Sequence, residues 1–361
     1  MYRWWSKETV AVVTGANKGI GYAMVKRLSE LGVTVILTAR DNARGLKAVE
    51  TLKGLGFDVF FHCLDISDHA SILDFASWFK HQFGQLDILV NNAAISYNEI
   101  HENSVEHADE VIQTNYYGPK ALIEALFPFF SRSMTTTRVL NLSSRLGLLN
   151  KLKNPEIKKI LLYEEKLSED LIDDIVKLFI DDVKKGQWKS RGWPENWTEY
   201  AVSKLALNAY SKVLANRYQG QGLSVNCFCP GYTQTSMTHG TGNYTADAAA
   251  ELGVNIVLIP AKDLPTGKFF LRSSRDGCRV PLFPIREFPS ASGVDELESL
   301  CGVGCSKDFI FTPCIFISSK AQTQSSRSAL VENESADIQV FSESESVEEM
   351  EVPVEKLLEM S

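Results

Sequence analysis

Several features that define other classes of protein are absent from this sequence of 361 residues. No apolar run approaches the roughly 18 residues that a membrane-spanning helix requires, and the N-terminus lacks the apolar core of a signal peptide. These absences predict a cytoplasmic protein with no membrane partner. The seven cysteines are odd in number and scattered, which argues against a disulfide framework. Because Cys301 and Cys305 have no histidine nearby, we predict no metal site.

The acidic charge is distributed unevenly along the chain. The formal net charge is −8, yet residues 332–361 alone contain ten acidic residues and one basic residue. The rest of the chain is therefore close to neutral and lacks the basic surface that nucleic-acid binding requires, so we expect no nucleic-acid partner. Residues 321–361 are rich in Ser and Glu and are predicted to be disordered. Residues 276–320 contain apolar patches without a clear period and form a divergent C-terminal segment.

Apolar, β-branched segments alternate with segments of helical periodicity through residues 1–275. The predicted strands are 10–13, 33–38, 59–63, 88–90, 139–142, 225–229 and 268–271. The predicted helices are 20–31, 44–55, 72–83, 110–130, 200–218 and 246–258. Strands that alternate with helices form βαβ units, so the pattern predicts one α/β domain with a doubly wound parallel sheet covered on both faces.

A helical insert, residues 151–195, interrupts this alternation. Asn154 and Pro155 form a helix-start signal, with Asn as the cap and Pro in the first turn. Residues 171–183 then place apolar side chains at helical spacing, with Asp and Lys on the opposite side. The insert is consistent with a surface helix that covers the core and with a flap beside a functional site.

Three glycines follow the first predicted strand and open the first predicted helix. Gly15 permits a turn that a side chain would obstruct, Gly19 lets the backbone approach a pyrophosphate, and Gly21 lets the helix pack close to the strand. The helix N-terminus offers free N–H groups and a positive dipole to phosphates. The G-x-x-x-G-x-G spacing in this position favours dinucleotide binding over a bare turn.

The end of the second predicted strand indicates which dinucleotide binds. An acidic residue there would hold the ribose 2′-hydroxyl and select NAD, but the strand ends Thr38-Ala39-Arg40. Lys18, in the glycine loop, adds a second cation, and two cations suit a 2′-phosphate. We therefore predict NADPH, although Arg40 and Lys18 are also consistent with solvated surface charges and Asp41 is consistent with NAD.

A tyrosine and a lysine four residues apart indicate the chemistry. Reduction of a ketone needs a hydride and a proton, and the proton can come from a phenol. Tyr200 and Lys204 lie on one face of a predicted helix, where the ammonium is expected to lower the pKa of the phenol. Ser144, which ends the strand before the insert, can donate a hydrogen bond to the substrate oxygen. Tyr-x-x-x-Lys is common by chance, so its weight comes from its position after the glycine loop and the Ser143-Ser144 pair.

Taken in order, these motifs resemble the short-chain dehydrogenase/reductase family, and the resemblance covers residues 5 to about 272. The matching positions are Thr14 to Gly21, Asp65, Asn91-Asn92-Ala93-Ala94, Asn115, Asn141-Leu142-Ser143-Ser144, Tyr200 to Lys204 and Pro230-Gly231. The resemblance implies a Rossmann-type domain over residues 1–275. It also implies that Tyr200 is the general acid/base, that Lys204 activates it and anchors the ribose, and that Ser144 holds the substrate oxygen. Asn115 would position a water that relays protons from Lys204.

The resemblance also implies the cofactor contacts. Asp65 and Ile66 would contact the adenine, Asn92 would line the cofactor channel, and residues 232–235 would hold the carboxamide end of the nicotinamide. Together with the glycine loop and its cations, the predicted cofactor-binding residues are Gly15, Asn17, Lys18, Gly19, Ile20, Gly21, Arg40, Asp65, Ile66, Asn92, Tyr200, Lys204, Pro230, Gly231, Thr233 and Thr235.

The position of the insert narrows the resemblance. Ser144 and Tyr200 are 56 residues apart, against roughly a dozen in most of the family. The insert resembles that of the monomeric carbonyl reductases and the plant salutaridine and menthone reductases, which implies a monomer. It would let Trp193 contribute to an apolar pocket. Further candidates for the pocket wall, each equally consistent with plain core, are Ile95, Tyr97, Leu146 and Met237.

Our leading hypothesis is NADPH-dependent reduction of an apolar carbonyl substrate, such as a terpenoid, alkaloid or quinone-like ketone, to an alcohol. One alternative is NAD-dependent oxidation of a secondary alcohol. The other is a dinucleotide-binding regulatory protein that performs little chemistry. The Ser144, Tyr200 and Lys204 set argues against the last, because a pure binder needs no paired phenol and amine.

Overall fold

A single sheet forms the centre of the protein. The computed structural model describes residues 3–98, 103–130, 136–272 and 338–341. The strands are β1 (Val10–Val13), β2 (Thr34–Ala39), β3 (Phe60–Cys63), β4 (Ile88–Asn91), β5 (Thr137–Leu142), β6 (Leu223–Cys229), β7 (Phe269–Arg272) and β8 (Ile338–Phe341). Their order is β3-β2-β1-β4-β5-β6-β7-β8, and β1 to β7 are parallel. The predicted doubly wound parallel sheet is confirmed.

Helices cover both faces of the sheet. The helices are α1 (Gly19–Glu30), α2 (Asn42–Gly54), α3 (His69–Gln82), α4 (Ala108–Ile112), α5 (Gly118–Leu126), α6 (Pro155–Leu162), α7 (Glu169–Lys184), α8 (Thr198–Arg217) and α9 (Ala246–Val257). One core cluster joins the sheet to α1, α2 and α9, with Met24, Leu52 and Val254 fully or almost fully buried. The other joins it to α3, α5, α7 and α8. Burial on both faces explains why the central strands read as continuous apolar runs.

The strand order reverses between β1 and β4, where the chain leaves one half of the sheet for the other. In open α/β sheets a ligand binds in the crevice at this switch point, outside the carboxyl ends of the strands. The glycine loop follows β1. Asn91 is the last residue of β4, and Asn92 comes directly after it. The topology therefore brings the predicted cofactor segments to one edge of the sheet.

The predicted uninterrupted helix over residues 110–130 is wrong. A π-helical turn, Gln113–Tyr117, separates α4 from α5 and contains Asn115. Gly118 packs against the backbone of Ile66, which follows β3: a Cβ added to Gly118 would lie 2.5 Å from the Ile66 carbonyl oxygen. Pro119 has no N–H to donate to the Asn115 carbonyl four residues earlier, so a regular α-helix cannot continue here.

The helical insert contains α6 and α7, which pack over the core. The apolar side of α7, including Ile172, Ile175 and Phe179, is buried against the cluster that contains α8. The insert is therefore a core-covering layer, which is one of the two interpretations of its sequence.

The strand β8 was not predicted. It pairs antiparallel with β7 and falls within the segment expected to be disordered. An edge strand such as β7 exposes unpaired backbone groups, which a short β-branched segment can satisfy. Residues 273–337 and 342–361, with Cys301 and Cys305, lie outside the described residues, so the proposed boundaries at 275, 320 and 361 stay predictions. Within the part of the chain that is described, no helix has the length and apolarity to cross a bilayer.

Candidate active site

The glycine loop has the backbone geometry that its sequence predicts. Gly15 and Gly19 have φ values of +60° and +59°, in the left-handed region that side chains disfavour. A Cβ on Gly15 would lie 2.8 Å from the Cα of Ala93, so the loop after β4 approaches it directly. Of the other predicted contacts here, Asn17 and Ile20 are half-buried. The loop is a concave backbone surface at the N-terminus of α1, which suits a pyrophosphate.

Asn92 ties the end of β4 to this loop. Its Nδ2 donates hydrogen bonds to the carbonyl oxygens of Thr14 (2.7 Å) and Gly15 (3.1 Å). The Thr14 hydroxyl accepts from the N–H groups of Asn92 and Ala93, both at 3.0 Å. Gly21 makes room for this side chain, because an added Cβ would be 2.4 Å from Asn92 Nδ2. The close approach expected at Gly21 is therefore between the start of α1 and the residue that follows β4.

The two predicted phosphate-binding cations are exposed, and the neighbouring carboxylate is engaged elsewhere. Lys18 is the N-cap residue of α1, and Arg40 follows β2. Asp41 caps α2, where its Oδ1 accepts from the Arg44 N–H (2.9 Å) and its Oδ2 pairs with Arg44 Nε (3.2 Å). Arg44 is not among the predicted site residues, although Asp41-x-x-Arg44 is a recognisable capping arrangement in the sequence.

The predicted adenine-side residues follow β3. Asp65 Oδ1 accepts hydrogen bonds from the N–H (2.9 Å) and hydroxyl (2.6 Å) of Ser67. Ile66 is buried beneath Gly118. Both residues lie at the carboxyl edge of the sheet, near the end of β2.

The segment after β6 closes over the glycine loop. Gly231 has φ of +78°, which allows the chain to turn after Pro230. Thr233 is buried, and its hydroxyl donates to the Pro230 carbonyl at 3.3 Å. The Thr235 methyl would lie 3.6 Å from a Cβ on Gly19. The fold therefore brings Thr235 beside the glycine loop, and the contact of residues 232–235 with the carboxamide end of the nicotinamide stays a prediction.

Tyr200 and Lys204 share one face of α8. The Lys204 Nζ lies 5.4 Å from the centroid of the Tyr200 ring and donates a 2.8 Å hydrogen bond to the carbonyl of Leu142, the last residue of β5. Lys204 is buried, whereas Tyr200 is half-buried. The pair therefore sits where β5 ends and where Ser143 and Ser144 begin.

Burial dominates the protonation of both side chains. It lowers the pKa of the Lys204 ammonium to about 8 and raises the pKa of the Tyr200 phenol above its ordinary value, with a smaller effect from Cys229. The expectation that Lys204 lowers the pKa of Tyr200 is therefore not met by the protein's own groups. A buried ammonium is penalised by loss of solvent, and so is a buried phenolate.

Ser144 begins a short turn, Arg145–Gly147, that packs on α8. Its Oγ accepts from the Leu146 N–H at 3.1 Å, and a Cβ on Gly147 would lie 2.5 Å from the carbonyl carbon of Lys204. Asn208, one helical turn after Lys204, holds both ends of the segment. Its Oδ1 accepts from the Ser143 hydroxyl (2.6 Å), and its Nδ2 donates to the Gly147 carbonyl (3.0 Å). Asn208 is not among the predicted site residues, although it continues the four-residue spacing of Tyr200 and Lys204.

Asn115 is joined to the same helix. Its Oδ1 accepts from the Ile95 N–H (2.8 Å), and its Nδ2 donates to the Ile95 carbonyl (2.9 Å) and to Ser203 Oγ (3.1 Å). Ser203 in turn donates to the Tyr200 carbonyl at 2.7 Å. The segments that carry Asn115 and Ser144 are thus both attached to the helix that carries Tyr200 and Lys204, and the catalytic roles of the four residues stay predictions.

The expectation that Trp193 lines an apolar pocket is wrong for this structure. Trp193 is fully buried within the insert, where its Nε1 donates to Asp182 (2.8 Å) and its ring packs on Phe179. Trp197, which is not among the predicted site residues, packs edge to face on Tyr200 with ring centroids 5.8 Å apart. The desolvated indole N–H of Trp193 needs an acceptor, and only the fold shows that Asp182 supplies it.

The remaining wall candidates differ in exposure. Tyr97 is 42% exposed, donates to Glu110 (2.6 Å) and stacks near the His107 ring. Ile95, Leu146 and Met237 are half-buried or partly exposed near the loops already described. Their place in a substrate pocket stays a prediction.

The sequence matches the family model described as short chain dehydrogenase over residues 9–155 and 191–260. This chain belongs to the short-chain dehydrogenase family. The unmatched stretch between the two segments contains α6 and α7, so the helical insert is an addition to the common family core.

Several named proteins are similar to this family member over most of their length. The (+)-neomenthol dehydrogenase of Arabidopsis thaliana is 39% identical, with 73% of this chain and 95% of the relative covered. Carbonyl reductase [NADPH] 1 of Bos taurus is 32% identical over 73% and 96% of the two chains. The solved structure of salutaridine reductase from Papaver somniferum has a TM-score of 0.67 at 38% identity and covers 72% of this chain and 99% of that one. The chain is an oxidoreductase of this family.

Proposed function

We propose that this chain reduces an apolar ketone or other carbonyl compound to an alcohol, with NADPH as the hydride donor. The observation that carries the proposal is that the turn after Ser144 packs on the face of α8 that holds Tyr200 and Lys204, at the edge of the sheet that also carries the glycine loop. A phenol and a serine hydroxyl can then act on one carbonyl oxygen while a dinucleotide occupies the loop.

Each side chain has a chemical task in this proposal. NADPH, when bound, supplies the hydride to the carbonyl carbon. Tyr200 donates the proton to the carbonyl oxygen, and its raised pKa keeps the phenol protonated at neutral pH, which is the form that reduction needs. The Ser144 hydroxyl donates a hydrogen bond to the same oxygen. Lys204 binds the ribose. Pro119 has no backbone N–H to donate to the Asn115 carbonyl four residues earlier, so this carbonyl oxygen can hold a water for proton relay.

The charges around the loop support NADPH. Gly15 and Gly19 both have a positive φ, which a side chain would strain, and a Cβ on Gly15 would also contact Ala93. The loop therefore exposes bare backbone, which suits a pyrophosphate. Arg40 and Lys18 are exposed at the predicted ribose, and Asp41 is committed to capping α2 rather than free to select NAD. The bovine relative carries NADPH in its name.

The names of the relatives support the substrate class. Three of the relatives are named as a neomenthol dehydrogenase, a salutaridine reductase and a carbonyl reductase, so we infer a terpenoid, alkaloid or quinone-like carbonyl substrate for this chain. A monomeric, cytoplasmic enzyme remains our expectation. NAD-dependent alcohol oxidation is the second candidate, and the dehydrogenase name of the Arabidopsis thaliana relative is the feature that favours oxidation.

A ketone panel with NADPH tests the proposal. Loss of NADPH absorbance is expected with menthone-like or quinone ketones, and Tyr200→Phe should abolish turnover while leaving NADPH affinity nearly unchanged. A Tyr200→Phe variant that keeps most of the rate would overturn the mechanism. Tighter binding of NADH than of NADPH by the unmodified protein, with little effect of Arg40→Asp, would favour the second candidate.

A further inference from the structure

Trp197 has an unusual backbone conformation directly before the catalytic helix. Its φ and ψ are both 50°, in the left-handed region. Within the described part of the chain, His239 is the one other residue besides glycine with a positive φ. A bulky side chain in this region is strained and persists only where its surroundings fix it.

Hydrogen bonds of the Trp197 carbonyl and of the residue after it hold Trp197 in this conformation. The N–H of Thr198 donates to Asn103 Oδ1 (2.8 Å), and the Thr198 hydroxyl donates to the Pro194 carbonyl (2.6 Å). The Trp197 carbonyl accepts the first α8 hydrogen bond, from Ala201, at 2.7 Å. The end of the insert and the start of α8 therefore determine the direction of the indole ring.

The strained residue places its ring on the reactive phenol. The Trp197 and Tyr200 rings are 5.8 Å apart at 82°, in an edge-to-face arrangement. Trp197 is three residues before Tyr200 and Lys204 is four residues after it, so the two flank the phenol from opposite directions along the helix. Trp197 is also half-buried, in contrast to the fully buried Trp193.

We propose that Trp197 is a specificity-determining residue, whose indole ring is the wall against which the carbon skeleton of a cyclic ketone packs. The inference rests on the proposed function. Lys204 marks the side of Tyr200 that faces the ribose, so the substrate carbons that extend away from the cofactor lie toward Trp197. A flat, rigid indole offers a large apolar surface to an alicyclic or aromatic skeleton and little to a short acyclic ketone.

Selectivity between two ketones separates this role from a structural one. The probes are menthone, which is cyclic and bulky, and butanone, which is small and acyclic. Trp197→Gly and Trp197→Asn remove the ring, and both residues tolerate a positive φ, so these variants should fold with an unchanged or higher Tm. In both we expect kcat/KM for menthone to fall on the order of tenfold, mainly through KM, with butanone changed less than about twofold. Trp197→Phe keeps an aromatic wall and should retain most of the preference for menthone.

The outcomes that overturn the inference differ from those that overturn the proposed function. An unchanged ratio of menthone to butanone kcat/KM in the glycine and asparagine variants removes Trp197 from substrate recognition. Equal losses for both ketones, or a lower Tm, would assign Trp197 a structural role instead. Failure of the unmodified protein to reduce any ketone with NADPH would instead contradict the proposed function.

Discussion

The carboxamide of Asn208 accepts a 2.6 Å hydrogen bond from the hydroxyl of Ser143, the residue directly before Ser144. The same carboxamide donates to the Gly147 carbonyl, so one side chain of α8 spans the turn that carries the proposed oxygen-binding serine. Because Asn208 follows Lys204 by one turn, the helix that presents the phenol also fixes the position of its partner hydroxyl.

We predict that Asn208→Ala lowers kcat by ten- to hundredfold with little change in NADPH affinity, because a small displacement of Ser144 weakens its contact with the substrate oxygen. In a Ser144→Ala background the same substitution should have no further effect on kcat. Steady-state kinetics of the double-mutant cycle checks this. Asn216→Ala, exposed near the end of α8, is the matched control. If Asn208→Ala lowered kcat by the same factor in the unmodified protein and in Ser144→Ala, Asn208 would not act through Ser144.

A second prediction concerns pH and follows from the buried Lys204. Its folded pKa of about 8 lies below the ordinary value of 10.5, so between these pH values the unfolded chain binds more protons at this residue. The Lys204 contribution to the free energy of unfolding must therefore rise with pH across this window. Below pH 8 the folded protein carries a buried ammonium at full cost.

The comparison of Lys204→Met with the unmodified protein isolates this effect. From pH 7 to pH 10.5 we expect the stability advantage of Lys204→Met to shrink by on the order of 3 kcal/mol. The raised pKa values of Tyr200 and Cys227 oppose the rise in both proteins, because burial is the largest cause of each shift. Urea unfolding at several pH values measures the difference, and parallel stability curves would show that burial does not penalise the ammonium.

The third prediction concerns the attachment of the insert. Asp173 of α7 accepts hydrogen bonds from the buried Tyr116 hydroxyl (2.7 Å) and from Lys120 Nζ (2.8 Å). Asp173→Ala leaves that hydroxyl without its acceptor and should lower the free energy of unfolding by about 2 kcal/mol. Asp174→Ala removes only an exposed pair with Lys177, so a change under about 0.5 kcal/mol is expected. Equal effects of the two substitutions in urea unfolding would contradict the buried-network interpretation.

Local spacing predicted most of the site, whereas contacts between distant segments did not appear in the sequence pattern. The glycine loop and the Tyr200–Lys204 pair depend on residues within one turn or one helix, so the local sequence is sufficient to predict them. The π-helical turn around Asn115 depends on the contact of Gly118 with Ile66, more than 50 residues earlier, although Pro119 was a readable signal.

The two tryptophans at the end of the insert illustrate the same limit. Trp193 and Trp197 occur in similar sequence surroundings, and periodicity cannot tell which one is buried. Asp182 accepts from the indole of Trp193 and Phe179 packs on its ring, whereas Asn103 and Pro194 hold the residue after Trp197. Only the assembled insert distinguishes a core residue from one that reaches Tyr200.

The last prediction concerns the contact between Gly21 and Asn92. A methyl group at Gly21 would lie 2.4 Å from Asn92 Nδ2, so Gly21→Ala must displace the side chain that holds the Thr14 and Gly15 carbonyls. We expect the Kd for NADPH to rise about tenfold, because the glycine loop loses the bonds that fix its shape. Titration of NADPH fluorescence measures this.

Two further variants determine whether the loss passes through Asn92. Asn92→Ala should weaken NADPH binding to a similar extent, and combining it with Gly21→Ala should add little, because both changes remove the same hydrogen bonds. Gly54→Ala in α2 is the control, since no atom lies within 4 Å of the added Cβ and the helix gains about 0.5–1 kcal/mol from the loss of glycine. Fully additive losses for the Gly21 and Asn92 variants would mean that the added methyl acts on the phosphate-binding backbone itself rather than on the side chain that supports it.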